Sequence, residues 1–281
     1  MTALYASVIK LHALSPGRLS QDPGQWANAA FYKLIGQVDP DLAAALHAWN
    51  GRKPFTISAL GGMSARKGRE IEVRPGWETW LRVTTLGEEI FATFIQRFIQ
   101  AGARPRLQLG PVEFAVSEVL TTPEAHPLAG YADAGNLVAR AAPAGRLVLE
   151  FLSPTAFHTG SLPGLGSHNE LFPVPHLVFG ASLARVWRAF VSPELDADYV
   201  EDLAAGARIS DYDLSTQTAH WRGHVYKGFT GRCAYDLRSL AEDERTLLAA
   251  LADFAFYAGV GGKTTQGMGQ CRRLHRDDGT P

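Results

Sequence analysis

Cysteine is almost missing from this chain. Cys233 and Cys271 are its two thiols, too few for a disulfide framework and in keeping with a reducing cytoplasm. Both read as small buried hydrophobes. Long apolar runs are missing as well: none approaches the ~20 residues of a membrane helix. Met1-Thr2-Ala3 leads directly into a strand-like pattern, so neither a membrane span nor a signal peptide is expected. Net charge is also near zero, at −1 from 27 Lys+Arg against 28 Asp+Glu, which does not advertise a nucleic-acid surface. What is present, 46% hydrophobic and 20% charged residues, is the composition of a globular protein and excludes disordered or fibrous classes.

The charge is unevenly spread. From Ala45 to Gly110 ten Arg/Lys stand against five Asp/Glu, and from Pro193 to Val260 six stand against twelve. Such asymmetry can make one basic face that attracts phosphates, although two solvated faces without purpose fit the counts equally well.

Hydrophobic periodicity divides the chain into two similar halves. A strand over Leu4–Leu14 precedes a helix over Trp26–Ile35 with apolar residues at helical spacing. Asp39-Pro40 caps a second helix striped by Leu42, Ala45, Leu46 and Trp49. Strands follow at Pro54–Leu60, Glu70–Val73 and Thr79–Thr84, then a helix over Glu88–Gln100 and strands at Arg106–Leu109 and Val112–Leu120. Residues Thr122–Pro143, rich in Pro, Ala and Gly, read as a boundary. Beyond it come a strand at Arg146–Leu152, a Gly/Pro-rich loop over Phe157–Pro175 and a helix over His176–Val191. Strands near Arg208–Leu214 and His220–Asp236 precede a helix over Leu240–Tyr257, with a capping box from Ser239 and Glu242. A last strand spans Gly269–His275. The expected class is α+β, with helices on one sheet face, and β-α-β-β-α-β is its minimal unit. The domains are 1–125, a linker 126–144, and 145–281.

The densest glycine cluster is Gly259-Val260-Gly261-Gly262-Lys263-Thr264-Thr265-Gln266-Gly267-Met268-Gly269. It is not a phosphate-binding P-loop. That motif needs glycine where Tyr257 stands, with a strand before and a helix after, and here the order is reversed. The dinucleotide fingerprint fails because Thr264 replaces its third glycine.

Three segments carry a family resemblance: Phe31-Tyr32 through Leu46-His47 to Lys53-Pro54-Phe55-Thr56-Ile57-Ser58; Leu152-Ser153-Pro154-Thr155-Ala156-Phe157 leading to Leu171-Phe172-Pro173-Val174-Pro175; and Phe256-Tyr257-Ala258-Gly259-Val260-Gly261 through Gly267-Met268-Gly269. Their order and near-complete span resemble the RAMP superfamily of CRISPR-associated proteins. Within it the chain looks like the endoribonucleases that cut CRISPR repeat transcripts into guide RNAs. The resemblance implies two tandem ferredoxin-like (RRM-like) domains with a C-terminal Gly-rich loop. It also implies a metal-independent cut, with His47 as general acid/base, Lys53 as charge stabiliser and Tyr32 as orienting partner. The products would be a 2′,3′-cyclic phosphate and a 5′-hydroxyl.

The chemistry suits those residue types. RNA carries its own nucleophile in the 2′-hydroxyl, so an enzyme needs proton transfer, for which histidine's ordinary pKa is apt, and stabilisation of a crowded anion. His47 and Tyr32 each follow an apolar stripe residue by one position, about 100° around the helix, at the flank of a buried face. Taken alone, His47 reads as an idle helix-edge histidine. Arg52, Arg66, Lys67 and Arg69, with Lys263, Arg272 and Arg273, are candidate RNA contacts. Each alone reads as a solvated charge. Trp77 and Trp80 can stack on bases or pack a hairpin. His12, His158 and His168 have no assigned role. His220 and His224 lack further ligands, so no metal and no cofactor are expected.

The expected partners are the repeat RNA, as precursor and mature guide. Other CRISPR effector subunits and a homodimer remain open. The rivals are a non-catalytic RAMP subunit that only binds guide RNA and a small-molecule enzyme with a coincidental glycine loop.

Overall fold

The computed structural model describes residues 2–19, 24–61, 70–100, 105–162, 166–221 and 224–275. Strand β1 (Ala3–Ala13) serves two cores at once. Leu4 and Ala6 face one, while Ile9, Leu11 and Ala13 face the other, as the two-residue side-chain period of a strand dictates. After short β2 (Gly17–Leu19) come α1 (Gly24–Gly36) and α2 (Pro40–Ala48). Helix α1 buries Ala27, Ala30, Phe31, Leu34 and Ile35. The Asp39 carboxylate accepts the Leu42 N–H at 2.9 Å and so caps α2.

Strands β3 (Phe55–Ile57), β4 (Ile71–Val73) and β5 (Glu78–Leu86) follow, then α3 (Glu88–Gln100) and the hairpin of β6 (Arg106–Leu109) and β7 (Val112–Leu120). Helix α3 carries Glu88 and Glu89 in its first turn and Arg97 in its last, which matches the helix dipole at both ends. The first sheet runs β3–β5–β1–β7–β6 with antiparallel neighbours.

The segment expected as a featureless boundary contains β8 (Gly130–Asp133), which pairs with the start of β1, and α4 (Ala134–Arg140). Both are short, too brief to show a period. The second half opens with β9 (Arg146–Thr155). It continues into a hairpin of β10 (Phe157–Leu162) and β11 (Gly166–Glu170) where a loop was expected. The next helix is continuous, π-wound over His176–Ala184 and α-helical over Arg185–Phe190 (α5). Helix α6 (Ala197–Ala204) had no counterpart in the sequence reading; Asp196 caps it. Strands β12 (Arg208–Trp221) and β13 (His224–Asp236) form a long hairpin. Helix α7 (Glu242–Ala258) starts later than expected. Glu244, not Glu242, accepts the N–H of its cap residue, Ala241, at 2.7 Å, and Ser239 donates instead to the Gly206 carbonyl. After a tight turn over Thr264–Gln266, β14 (Cys271–Leu274) completes a second antiparallel sheet, β12–β13–β9–β14.

Helix α7 lies between the halves. Its Leu248, Leu251, Phe254 and Ala255 share one core with Leu149 and Phe151 of the second sheet and with Leu4, Ala6 and Leu86 of the first. Cys233 and Cys271 are both buried there, and burial pushes the Cys233 thiol up to about 11. No helix among the described residues is long and apolar enough to cross a membrane.

A polar hub crosses the same junction. Arg82 of β5 is buried and donates to three neutral acceptors: the Leu128 carbonyl at 2.7 Å, Gln270 Oε1 at 2.7 Å and the Phe256 carbonyl at 2.6 Å. Its guanidinium also lies 4.3 Å from the centre of the Phe256 ring. Burial lowers its pKa to about 9. Beside it, the Thr84 hydroxyl donates to the Tyr257 carbonyl at 2.6 Å.

Candidate active site

Helix α2 ends at Ala48, and its final carbonyls point at the loop that leads to β3. Three side chains converge there. The Tyr32 hydroxyl, from α1, donates to the Leu46 carbonyl at 3.3 Å. The Lys53 ammonium donates to the same carbonyl at 2.6 Å, to that of His47 at 3.3 Å, and to that of Trp49. The His47 and Tyr32 rings meet edge to face, with centroids 5.4 Å apart.

Each placement has a local cause. Phe31 and Leu46 are buried and anchor the two helices, so the residues after them emerge at the flank. Tyr32 is half-buried there and His47 is exposed. Lys53 neutralises the negative end of the α2 dipole, a recurrent use of lysine at a helix C-terminus. Partial burial lowers its pKa and raises that of Tyr32. The arrangement offers an accessible imidazole, a tyrosine ring edge-on to it and an ammonium on the backbone carbonyl of the same histidine. That set can move a proton and balance developing negative charge.

The other candidates scatter. Arg52 donates to the Ala181 carbonyl of the π-wound helix at 2.5 Å. Arg66, Lys67 and Arg69 lie outside the described residues. Lys263 sits over the Tyr226 ring at 4.3 Å. Arg272 and Arg273 are neighbours on a strand and so face opposite ways. Arg272 and Arg232 share the Glu150 carboxylate at 2.7 and 3.0 Å on the open face. Arg273 turns inward to Asp253 of α7 at 2.9 Å and is mostly buried. Trp77 packs against Phe114, and Trp80 meets His126 edge to face at 5.3 Å. His168 bonds the Thr159 hydroxyl at 2.7 Å. The side chains of His220 and His224 lie outside the described set. Among the described residues, no three His, Cys, Asp or Glu side chains gather as a metal site would require.

The Gly-rich loop binds the halves together through its backbone. Gly262 N–H donates to the Ala156 carbonyl, Gly269 N–H to that of Pro154, and Gly267 N–H to that of Ile57 in β3, each at 3.0 Å. Gly261 N–H donates to the Ser182 hydroxyl at 2.8 Å, and the Thr265 carbonyl accepts from Asn28 of α1 at 3.1 Å. Gly269 has φ +71°, and a Cβ there would lie 2.2 Å from the Val260 carbonyl oxygen. Gly269→Ala therefore combines left-handed strain of about 1–2 kcal/mol with a backbone clash. The expected loss of about 2–4 kcal/mol shifts thermal unfolding by roughly 5–15 °C; unchanged melting in calorimetry would contradict this packing.

With that geometry in place, similarity to known proteins is informative. Residues 4–138 match the model of the CRISPR Cas6 N-terminal domain, and residues 149–271 match that of the CRISPR-associated endoribonuclease Cas6. A solved Cas6 product complex superposes with a TM-score of 0.81 at 30% identity, over 96% of this chain and 100% of that one. The chain belongs to the Cas6 family. Thermus thermophilus Cas6 superposes with a TM-score of 0.72 at 26% identity, over 98% and 99% of the two chains. A CRISPR-associated endoribonuclease Cas6 from Mycobacterium tuberculosis is 30% identical over 125 residues, which make up 44% of this chain and 37% of that protein. The namesake from Streptococcus thermophilus is 28% identical over 131 residues, 46% and 50% of the respective lengths. These matched stretches span half or less of the two curated relatives.

Proposed function

We propose that this Cas6-family chain is a metal-independent endoribonuclease that cuts CRISPR repeat RNA into guide RNAs. The observation that carries the reading is the convergence of Tyr32, His47 and Lys53 on the exposed end of α2. The 2′-hydroxyl oxygen attacks the adjacent phosphorus, the P–O5′ bond breaks, and a 2′,3′-cyclic phosphate and a 5′-hydroxyl result. His47 moves the proton, taking it from the 2′-hydroxyl or giving it to the leaving 5′-oxygen. Tyr32 orients its imidazole. Lys53 balances the charge of the phosphorane by exchanging carbonyl contacts for phosphate oxygens.

The sheet orders β7–β1–β5–β3 and β14–β9–β13–β12, each with a helical connection between first and second strands and between third and fourth, support two tandem ferredoxin-like units. Arg272 on the open face of the second sheet and Lys263 in the glycine loop remain candidate phosphate contacts. The mature guide and further CRISPR effector subunits are the partners this reading expects.

The test is cleavage of a labelled cognate repeat RNA in EDTA, beside a substrate with one deoxynucleotide 5′ of the cut. The expected result is cleavage of the first and tight binding without cleavage of the second. Scission of the deoxy substrate overturns the 2′-hydroxyl mechanism. Binding without cleavage of either favours a non-catalytic RAMP subunit.

A further inference from the structure

We propose that Arg52 is a positioning residue and not an RNA ligand. It latches the loop after His47 onto the π-wound helix of the second half, holding the end of α2 in place. The idea rests on the nuclease reading of His47.

Between α2 and β3, the three large side chains are all engaged. Lys53 turns inward to the α2 carbonyls. Trp49 turns outward, its ring centroid 5.7 Å from that of Phe190 in α5. Arg52 reaches the Ala181 carbonyl, 129 residues away in sequence. The acceptor lies within the π-wound segment, a rare winding that recurs where a helix serves a site. The next residue, Ser182, holds Gly261 of the glycine loop through its hydroxyl at 2.8 Å. Two successive residues of one helix therefore tie down both the His47 loop and the Gly-rich loop.

A rival explanation starts from Arg185. Its charge, after burial, lowers the pKa of Arg52, and two nearby guanidiniums can cradle a phosphate. Arg185, however, is already paired with Asp198 at 2.8 Å and Glu201 at 3.0 Å. Arg52 has a carbonyl as its acceptor, which a neutral donor can also satisfy.

The experiment compares Arg52→Ala, Arg52→Gln, Phe190→Ala and the double variant Arg52→Ala/Phe190→Ala. Readouts are single-turnover cleavage at saturating protein, RNA affinity against salt, and hydrogen exchange over residues 46–55 in the free protein. The latch predicts that Arg52→Ala slows saturated cleavage about ten- to hundredfold, as small misplacements do. RNA affinity and its salt slope stay unchanged, and exchange over residues 46–55 is faster. Phe190→Ala should behave alike, the double variant should be no worse than the worse single, and Arg52→Gln should recover part of the rate. Weakened affinity with a salt slope smaller by about 0.7, at an unchanged saturated rate, makes Arg52 a phosphate ligand and overturns the proposal. Failure of the wild type to cleave overturns the nuclease reading instead. Exchange then decides the latch by itself, and unchanged protection in Arg52→Ala refutes it.

Discussion

His47→Ala is expected to abolish cleavage of the repeat RNA while leaving the RNA bound. Loss of a general acid or base typically costs about 10²–10⁴ in rate. The neighbouring rings and carbonyls hold no proton that moves near neutral pH. The imidazole is exposed and lies edge-on to Tyr32 at 5.4 Å, so its removal leaves no cavity and no orphaned partner. Folding and affinity should therefore survive, and the defect should appear in the saturated single-turnover rate. Tyr32→Phe keeps the ring that supports the imidazole and loses only the bond to Leu46, so a smaller defect is expected. A His47→Ala protein that cuts at the wild-type rate removes this histidine from the mechanism.

Arg82→Met should produce the largest loss of stability. It leaves two backbone carbonyls and the Gln270 amide oxygen without donors in a buried junction. Each unsatisfied group costs about 1–3 kcal/mol, while the buried charge itself is no longer desolvated, which offsets part of that cost. A net loss of about 3–5 kcal/mol is expected, read as a lower urea midpoint. Arg82→Lys should recover little, because an ammonium cannot reach three acceptors in the planar fork that a guanidinium spans. Equal stability of wild type and Arg82→Met would show that the hub contributes nothing net.

The sequence was most legible where periodicity was long. The stripe of α1, the Asp39-Pro40 start of α2 and the strands around the Gly76 turn all lie where their patterns placed them. The placement of Tyr32 and His47 followed from these, because both flank anchored stripe residues. Short elements were illegible: β8, α4 and α6 contain too few residues to establish a period. The hairpin of β10 and β11 was hidden by its glycines. Nothing in the residues announced that His176–Ala184 winds as a π-helix, since apolar residues on all sides give no face to read. Arg82 is not legible as a buried hub, because an arginine amid β-branched residues reads as a surface position. The alternation Thr-Trp-Leu-Arg-Val-Thr-Thr was its one clue, placing Arg82 on the same face as Trp80 and Thr84. Arg272 and Arg273 are adjacent in sequence, yet neighbours on a strand part to opposite faces.

The sharing of α7 has a consequence for anyone who would divide the molecule. Leu4, Ala6 and Leu86 belong by sequence to the first half and by burial to the core of the second. Cut between the halves, the first piece would present a greasy sheet face and the second an uncovered helix. The two matched segments are thus separate in the family models but joined in burial. Co-expressed fragments should find each other, whereas either one alone is an aggregation hazard.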